Sequence, residues 1–297
     1  MVKKRHGVER GIPEISFTAP AGTPAGVEVL SLDDLRDRVP AERLSVPQRP
    51  DFHHLITLTG GSLWHTVDFT AYALDPGSWL WVRPGQVQQW GDLTRAQGTL
   101  ILFRQDFLDP ATTASARIED PHAPILRRPL LGDEAALRLA ADHVTIEFHA
   151  LGHLPLEIHT AALRHLLAVL VLRLAHLTAP AGSPAPEPDA TYLRFRDAVE
   201  EDFARTRRVE DYADMLGYSP RTLSRATLAA AGLGGKEFID RRVVLEAKRL
   251  LAHSDQTAAR IADRLGFSSA THFSKYFHHR TGQTPIAFRD TVRHTTK

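Results

Sequence analysis

The sequence predicts an α+β chain of two domains, an N-terminal antiparallel β-barrel followed by helices and a C-terminal all-α domain. Three observations carry this. From Asp51 to Phe103, short runs rich in Thr, Val, Trp and Leu are punctuated by turn signals, the texture of a small antiparallel barrel or sandwich. After Pro129, apolar residues return every three or four positions over lengths no strand needs. Beyond Ala190, one helical pattern occurs twice. A length of 297 residues suits two cores.

The barrel strands are expected in HHLITL, SLWHTVDF, YAL, SWLWV, VQQW and TLILF. Asp75-Pro76-Gly77 and Arg83-Pro84-Gly85 are the strongest turns, because proline presets φ and glycine tolerates positive φ. Two helices follow, GDEAALRLAADHVTIEFHAL and PLEIHTAALRHLLAVLVLRLAHL, separated near Gly152 to Pro155. The second is oily on more than one face. It is expected to pack on the barrel and on a partner subunit, so residues 133–177 make the chain a homodimer. Its oiliest tract, Leu166 to Leu177, is broken by Arg173 and His176 and reads as a buried helix rather than a membrane span. Residues 179–190, APAGSPAPEPDA, combine four prolines with small residues and acids, a linker between a domain at 1–178 and another at 191–297.

The composition excludes several classes. Hydrophobic residues make up 43% and charged residues 24%, ordinary for a soluble globular chain. With no cysteine there is no disulfide, thiolate nucleophile or Cys-ligated metal, which suits the cytoplasm. No GxSxG elbow, GxGxxG or GxxxxGK cradle, or HExxH motif occurs, so no catalytic residue, cofactor or metal is assigned. In the barrel, His53, His65, Arg83 and Trp90 are candidate effector-pocket residues, since an aromatic beside an arginine suits a carboxylate. With His54 the imidazoles also raise a metal reading, against which each stands as an ordinary strand or lid residue. The net charge of +1 hides an asymmetry: residues 1–189 carry 17 Lys/Arg against 22 Asp/Glu, and residues 190–297 carry 19 against 13. A basic surplus confined to the last third fits a nucleic-acid-binding domain, or a solvated surface.

The repeat decides between them. DYADMLGYSPRTLSRATLAAAG from Asp211 and RIADRLGFSSATHFSKYFHHRTG from Arg260 pair Ala213 with Ala262 and Gly217 with Gly266, then Leu223 with Phe273 after a one-residue insertion. Each reads as a short helix, a glycine turn and a serine-capped second helix, the pattern of a helix-turn-helix. In such a unit the first helix crosses the DNA backbone and the second enters the major groove. Lys236 to His253 forms a basic connecting helix that holds two readers on one DNA face, roughly 34 Å apart by helical repeat. Arg221 and Arg225 lie one turn apart on one face, and arginine bonds bidentately to guanine. Ser219 and Ser269, at helix starts, suit phosphate contacts with the backbone N–H groups.

Over about the last hundred residues GYSPRTLSR, AKRLL, IADRLGFSS and FSKYFHHRTGQTPIAFR resemble the DNA-binding domain of the AraC/XylS family of bacterial transcription regulators. More weakly, HHLI, VDF, DPG and RPGQVQQW between residues 51 and 91 resemble the cupin-like sensor domain of many members. The resemblance implies a cupin-like barrel, an unidentified small-molecule effector, double-stranded promoter DNA as partner, and RNA polymerase as a second partner if the chain activates. It implies base reading by Arg221, Ser224 and Arg225 in the first unit and by Ala270, Thr271, Ser274 and Lys275 in the second. Three positions depart from the pattern. Gln88 stands where histidine is frequent and weakens a metal reading; Thr227 replaces a core aromatic; Lys275 replaces an arginine, exchanging a planar fork for a point charge. Two alternatives remain at this point, a constitutive architectural DNA binder whose barrel only dimerises, and a metal-dependent cupin enzyme using His53, His54 or His65.

Overall fold

A computed structural model of the chain describes residues 12–19, 23–120, 123–177 and 189–294. Two compact units emerge, Pro13–Ala181 and Gly182–Lys297, the second also taking Ile12. Ile12 donates its N–H to Ala252 O and accepts from His253 Nδ1 at 2.8 Å. Residues 179–188 of the expected linker lie outside the described residues; Asp189 caps the helix that follows, accepting from Thr191 N.

The first unit contains, in order, β1 (Glu14–Ile15), β2 (Val27–Ser31), α1 (Leu32–Arg38), α2 (Ala41–Leu44), β3 (Arg49–Pro50), β4 (His53–Gly60), β5 (Leu63–Val67), β6 (Thr70–Leu74), β7 (Trp79–Val82), β8 (Gln88–Trp90), β9 (Gln97–Phe103), α3 (Pro110–Ala116), β10 (Leu126–Arg127), α4 (Leu131–His149) and α5 (Leu156–Ala175). The six strands expected between Asp51 and Phe103 all form. β1 to β3, α1 to α3 and β10 are additional. Their pieces are short, and α1, with α3 the longest, is fixed by a capping box in which Ser31 and Asp34 satisfy each other's backbone N–H groups, a signal legible as S-x-x-D.

The expected closed barrel is instead two facing antiparallel sheets. One has the order β10-β7-β4-β9-β2 and the other β6-β5-β8, with no hydrogen-bonded ladder joining them among the described residues, and β1 pairs parallel with β3 apart from both. The turn at Asp75–Gly77 carries the chain from β6 in one sheet to β7 in the other, and β8 spans only three residues, too short to close a seam. A period of two sorts the five-stranded sheet's side chains. Leu30, Ile56, Leu58, Leu80, Val82 and Leu100 face Leu63, Val67, Leu74 and Trp90 of the smaller sheet. Val27, Val29, Leu55, Trp79, Trp81, Ile101 and Phe103 face outward, under Leu137, Val144 and Phe148 of α4 and Leu163, Leu167, Leu170 and Val171 of α5. By length and composition α5 could cross a membrane; seven of its side chains, including Leu163, Leu170 and Leu174, are buried in the cover of this sheet.

The second unit is helical throughout: α6 (Ala190–Asp202), α7 (Val209–Leu216), α8 (Pro220–Ala231), α9 (Gly235–His253), α10 (Ala258–Arg264), α11 (Ala270–Thr281) and α12 (Pro285–His294). α7–α8 and α10–α11 are the two predicted helix pairs, and α9 is the predicted connector. Phe195 packs edge-on against Tyr212 and tilted against Phe238 around the first pair. Phe267, Phe273, Phe277 and Phe288 form a chain of ring contacts around the second, edge-on at Phe267–Phe273 and Phe277–Phe288 and tilted at Phe273–Phe277.

Candidate nucleic-acid interface and buried polar groups

In the first pair, Gly217 ends α7 with φ 71° and Ser219 starts α8, its hydroxyl accepting from Thr222 N at 3.0 Å. In the second pair, Gly266 adopts φ 69° and Ser269 caps α11 by accepting from His272 N at 3.1 Å. The two serine hydroxyls are therefore occupied as helix caps. Of the backbone N–H groups in the first turns, those of Arg221 in α8, where Pro220 has none, and of Ala270 and Thr271 in α11 stay available to an anion, since Thr222 and His272 donate to the caps. From these caps Arg221 and Arg225 project exposed from α8, as do Thr271 and Lys275 from α11. Ala270 is half-buried. Ser224 and Ser274 are half-buried too, and Ser224 Oγ lies so near the start of α9 that a Cβ at Gly235 would approach it to 3.0 Å. Ser224 thus contributes to helix packing as well as flanking the two arginines. Thr227, in place of an aromatic, is fully buried with its hydroxyl donated to Leu223 O at 3.0 Å.

The connecting helix is less basic towards solvent than its sequence reads. Arg242 is tucked in, bonded to Glu200 at 2.7 Å and Glu246 at 3.1 Å, with its guanidinium over Phe203 at 3.9 Å. Arg249 is equally tucked in, beside Glu246. What α9 contributes is an acid. Asp240 is buried and accepts from Lys236 Nζ and Tyr276 OH, each at 2.7 Å, and from Arg280 Nη2. Tyr276 and Arg280 belong to α11, so one carboxylate ties the connector to the second helix of the second pair. Lys236 also donates to Arg207 O at 2.9 Å, and Arg207 donates to Leu265 O and Gly266 O while its guanidinium covers Phe267 at 4.0 Å. Burial raises the Asp240 pKa, but the three donors outweigh it and leave the carboxyl below its ordinary value. Beyond the i,i+4 pair of Lys236 with Asp240, the sequence gives no sign of this hub, because the other residues it joins are about 30 to 40 positions apart and follow no motif.

In the first unit the structure separates the four residues expected to share a pocket. His65 and Trp90 lie between the sheets, ring centroids 4.6 Å apart, with His54. His65 Nε2 donates to Gln88 Oε1 at 3.1 Å, and Gln88 Nε2 donates to His54 Nε2 at 3.2 Å. Gln88 thus bridges the two imidazoles. Trp90 also lines a cleft of about 560 Å³ with Val39, Ala41, Leu44 and Leu93, with Arg36 and Glu42 among its polar groups. His53 and Arg83 sit on the opposite, helix-covered face of the five-stranded sheet. There Trp81 Nε1 donates to His53 Nδ1 at 3.1 Å and the Arg83 guanidinium lies over Trp81 at 4.6 Å. A single metal centre using His53 with His54 and His65 is incompatible with this alternation. Among the described residues no three His, Cys, Asp or Glu side chains are grouped to hold an ion.

Burial pushes the pKa of His53, His54 and His65 down to about 3 in each case; the charges of Arg83 and His54 add to this at His53, and that of His65 at His54. The unfolded values lie near 6.5, so between pH 6.5 and 3 the unfolded chain binds more protons. The stability that these neutral imidazoles confer is therefore complete above about pH 6.5 and is lost as pH falls, by about 1.4 kcal/mol per pH unit for each histidine. Urea midpoints of the first unit at pH 7.5 and 5 should differ by an amount equivalent to several kcal/mol. Equal midpoints would mean that these rings are hydrated or charged in the native state.

A helix-turn-helix domain family matches residues 212–291. The chain is 25% identical over 243 residues to the HTH-type transcriptional activator RhaS of Klebsiella pneumoniae, covering 80% of this chain and 85% of that protein. It is 35% identical over 100 residues to the regulatory protein PocR of Salmonella typhimurium, covering 34% of this chain and 32% of PocR. Among solved structures, unsaturated fatty acid-bound ToxT of Vibrio cholerae is similar at 12% identity and a TM-score of 0.39, over 90% of this chain and 96% of that one. The repeated glycine-turned, serine-capped helix pairs fall within the matched domain, and the likeness to RhaS extends across the sheets as well. The chain carries a helix-turn-helix domain over residues 212–291, is similar to RhaS over most of its length, and is a DNA-binding transcription regulator.

Proposed function

We propose that the chain is a ligand-responsive activator that reads its promoter with α8 and α11 and senses its effector with the first unit. The observation that carries this is the pair of equivalent recognition helices, each set by the same glycine turn and serine cap and each presenting exposed cationic side chains. In this reading residues 1–178 sense and dimerise, 179–190 link, and 191–297 bind DNA. Arg221 and Arg225, then Thr271 and Lys275, contact base edges, flanked by Ser224, Ala270 and Ser274, while the N–H groups behind Ser219 and Ser269 hold phosphates. It acts in the cytoplasm and catalyses no reaction. Activation, the function in the name of RhaS, would make RNA polymerase a partner.

Genome-wide selection of DNA fragments on the full-length protein at fixed salt should recover a site with two blocks about one helical turn apart. Arg225→Ala should then weaken that site by about 1 to 3 kcal/mol and random duplex far less. Equal loss on both would remove Arg225 from the base-reading set.

The helical cover supports the dimer. Ile158 and Val169 on α5 and Leu139 and Ile146 on α4 remain exposed, and the eleven- and seven-residue spacings place each pair along one helix face. Val169→Glu should convert the dimer to monomer by sedimentation while leaving the unit folded; an unchanged sedimentation coefficient would put the interface elsewhere.

A further inference from the structure

We propose that Arg83, Arg127 and His53, on the helix-covered face of the five-stranded sheet, form a binding site for the carboxylate of a small organic acid. The proposal rests on the ligand-responsive reading and states what chemistry its effector presents. Strand register assembles the site. His54 pairs with Val82, so His53 stands opposite Arg83 on the next step of the ladder, and Arg127 of β10 stands opposite Trp79 of β7. The Trp79 side chain is on the outward face, and cross-strand partners share a face, so all three residues lie on one side of the sheet, around Trp81. The segment leading into β10 covers this edge: Trp81 N–H donates to Ile125 O at 2.8 Å, and Arg83 Nη1 reaches Ala123 O at 3.4 Å.

The unsatisfied atoms define the ligand. Trp81 Nε1 is a donor only, so His53 Nδ1 accepts and the ring proton resides on Nε2. That Nε2–H is buried without a partner, and so are Arg83 Nε–H and Arg127 Nε–H. All three are donors. A carboxylate offers only acceptors and a negative charge, which matches the set, whereas a water molecule would bring donors as well. The charge balance points the same way. Arg83 is 5% exposed, and neither arginine makes an ion pair among the described residues, although the field of Asp120 reaches both. Burial, then the like charge of Arg127, pushes Arg83 down to about 10. A buried guanidinium without a counterion destabilises a fold unless an anion joins it.

The test uses the full-length protein, thermal unfolding and tryptophan fluorescence, with benzoate and acetate as probes and benzamide as the neutral isostere, at constant ionic strength. A saturable rise of several degrees in the unfolding midpoint with benzoate but not benzamide is expected. Arg83→Met should abolish this response and, without any acid, unfold at a higher temperature than the parent. A purely structural arginine would give a lower one. Arg127→Met, on an edge strand, is the second variant and should weaken the response. The site is refuted if neither acid stabilises the protein, if benzamide matches benzoate, or if both variants respond like the parent. DNA affinity is measured separately with and without benzoate. Binding that leaves DNA affinity unchanged keeps the carboxylate site and removes the ligand-responsive reading, so the two fail apart.

Discussion

Asp240→Ala should destabilise the DNA-binding unit by about 3 to 5 kcal/mol and should abolish tight promoter binding. The size follows from what is left behind. Removing one member of a buried charged cluster strands its partners, which costs more than the cluster itself contributes. Here the stranded groups are Lys236 on α9 and Tyr276 and Arg280 on α11. Urea unfolding of parent and variant gives the free energy, and titration with promoter DNA gives the functional loss. Tyr276→Phe removes a single donor and should cost about 1 to 2 kcal/mol. The pH dependence has a definite sign. Because the folded carboxyl lies below its ordinary value, its contribution is complete above about pH 4 and disappears as pH falls through the folded pKa. A loss below about 1 kcal/mol for Asp240→Ala would show that packing alone orients α11.

The second large effect is a contrast between two glycines that the sequence makes equivalent. Gly217→Ala should cost about 1 to 2 kcal/mol, the penalty of a left-handed conformation for an L residue, because nothing lies within 4 Å of where its Cβ would stand. Gly266→Ala should cost more than about 3 kcal/mol. A Cβ there would stand 2.0 Å from Ala204 O, a backbone atom that cannot swing aside, so α10 must shift from the α6–α7 connection. The shift would also break the bonds from Arg207 to Leu265 O and Gly266 O. Differential scanning calorimetry on the two variants measures both terms. Equal losses would mean that the connection yields freely, and the close approach would then have no energetic weight.

What the residues determined by themselves is local and periodic. The glycine turns, serine caps and three-to-four spacing of the second unit specify its helix pairs in any context, and their duplication made the DNA-binding reading legible before any packing was known. The six strands from β4 to β9 were legible for the same reason, since turn residues and alternation act over a few neighbours. Tertiary structure decided what depends on distant partners. Whether six strands close into a barrel depends on seam lengths, and β8 is too short, so two open sheets formed. Whether adjacent histidines share a site depends on the face each one enters. His53 and His54 are neighbours in sequence, yet the pleat sends one under the helices with Arg83 and the other between the sheets with Gln88 and His65. Charge behaved likewise. Arg221 and Arg225 remained exposed for a ligand, while Arg242 was consumed by Glu200, 42 positions away. Sequence spacing fixes which residues share a helix face, but only the packed fold fixes which charges are already paired.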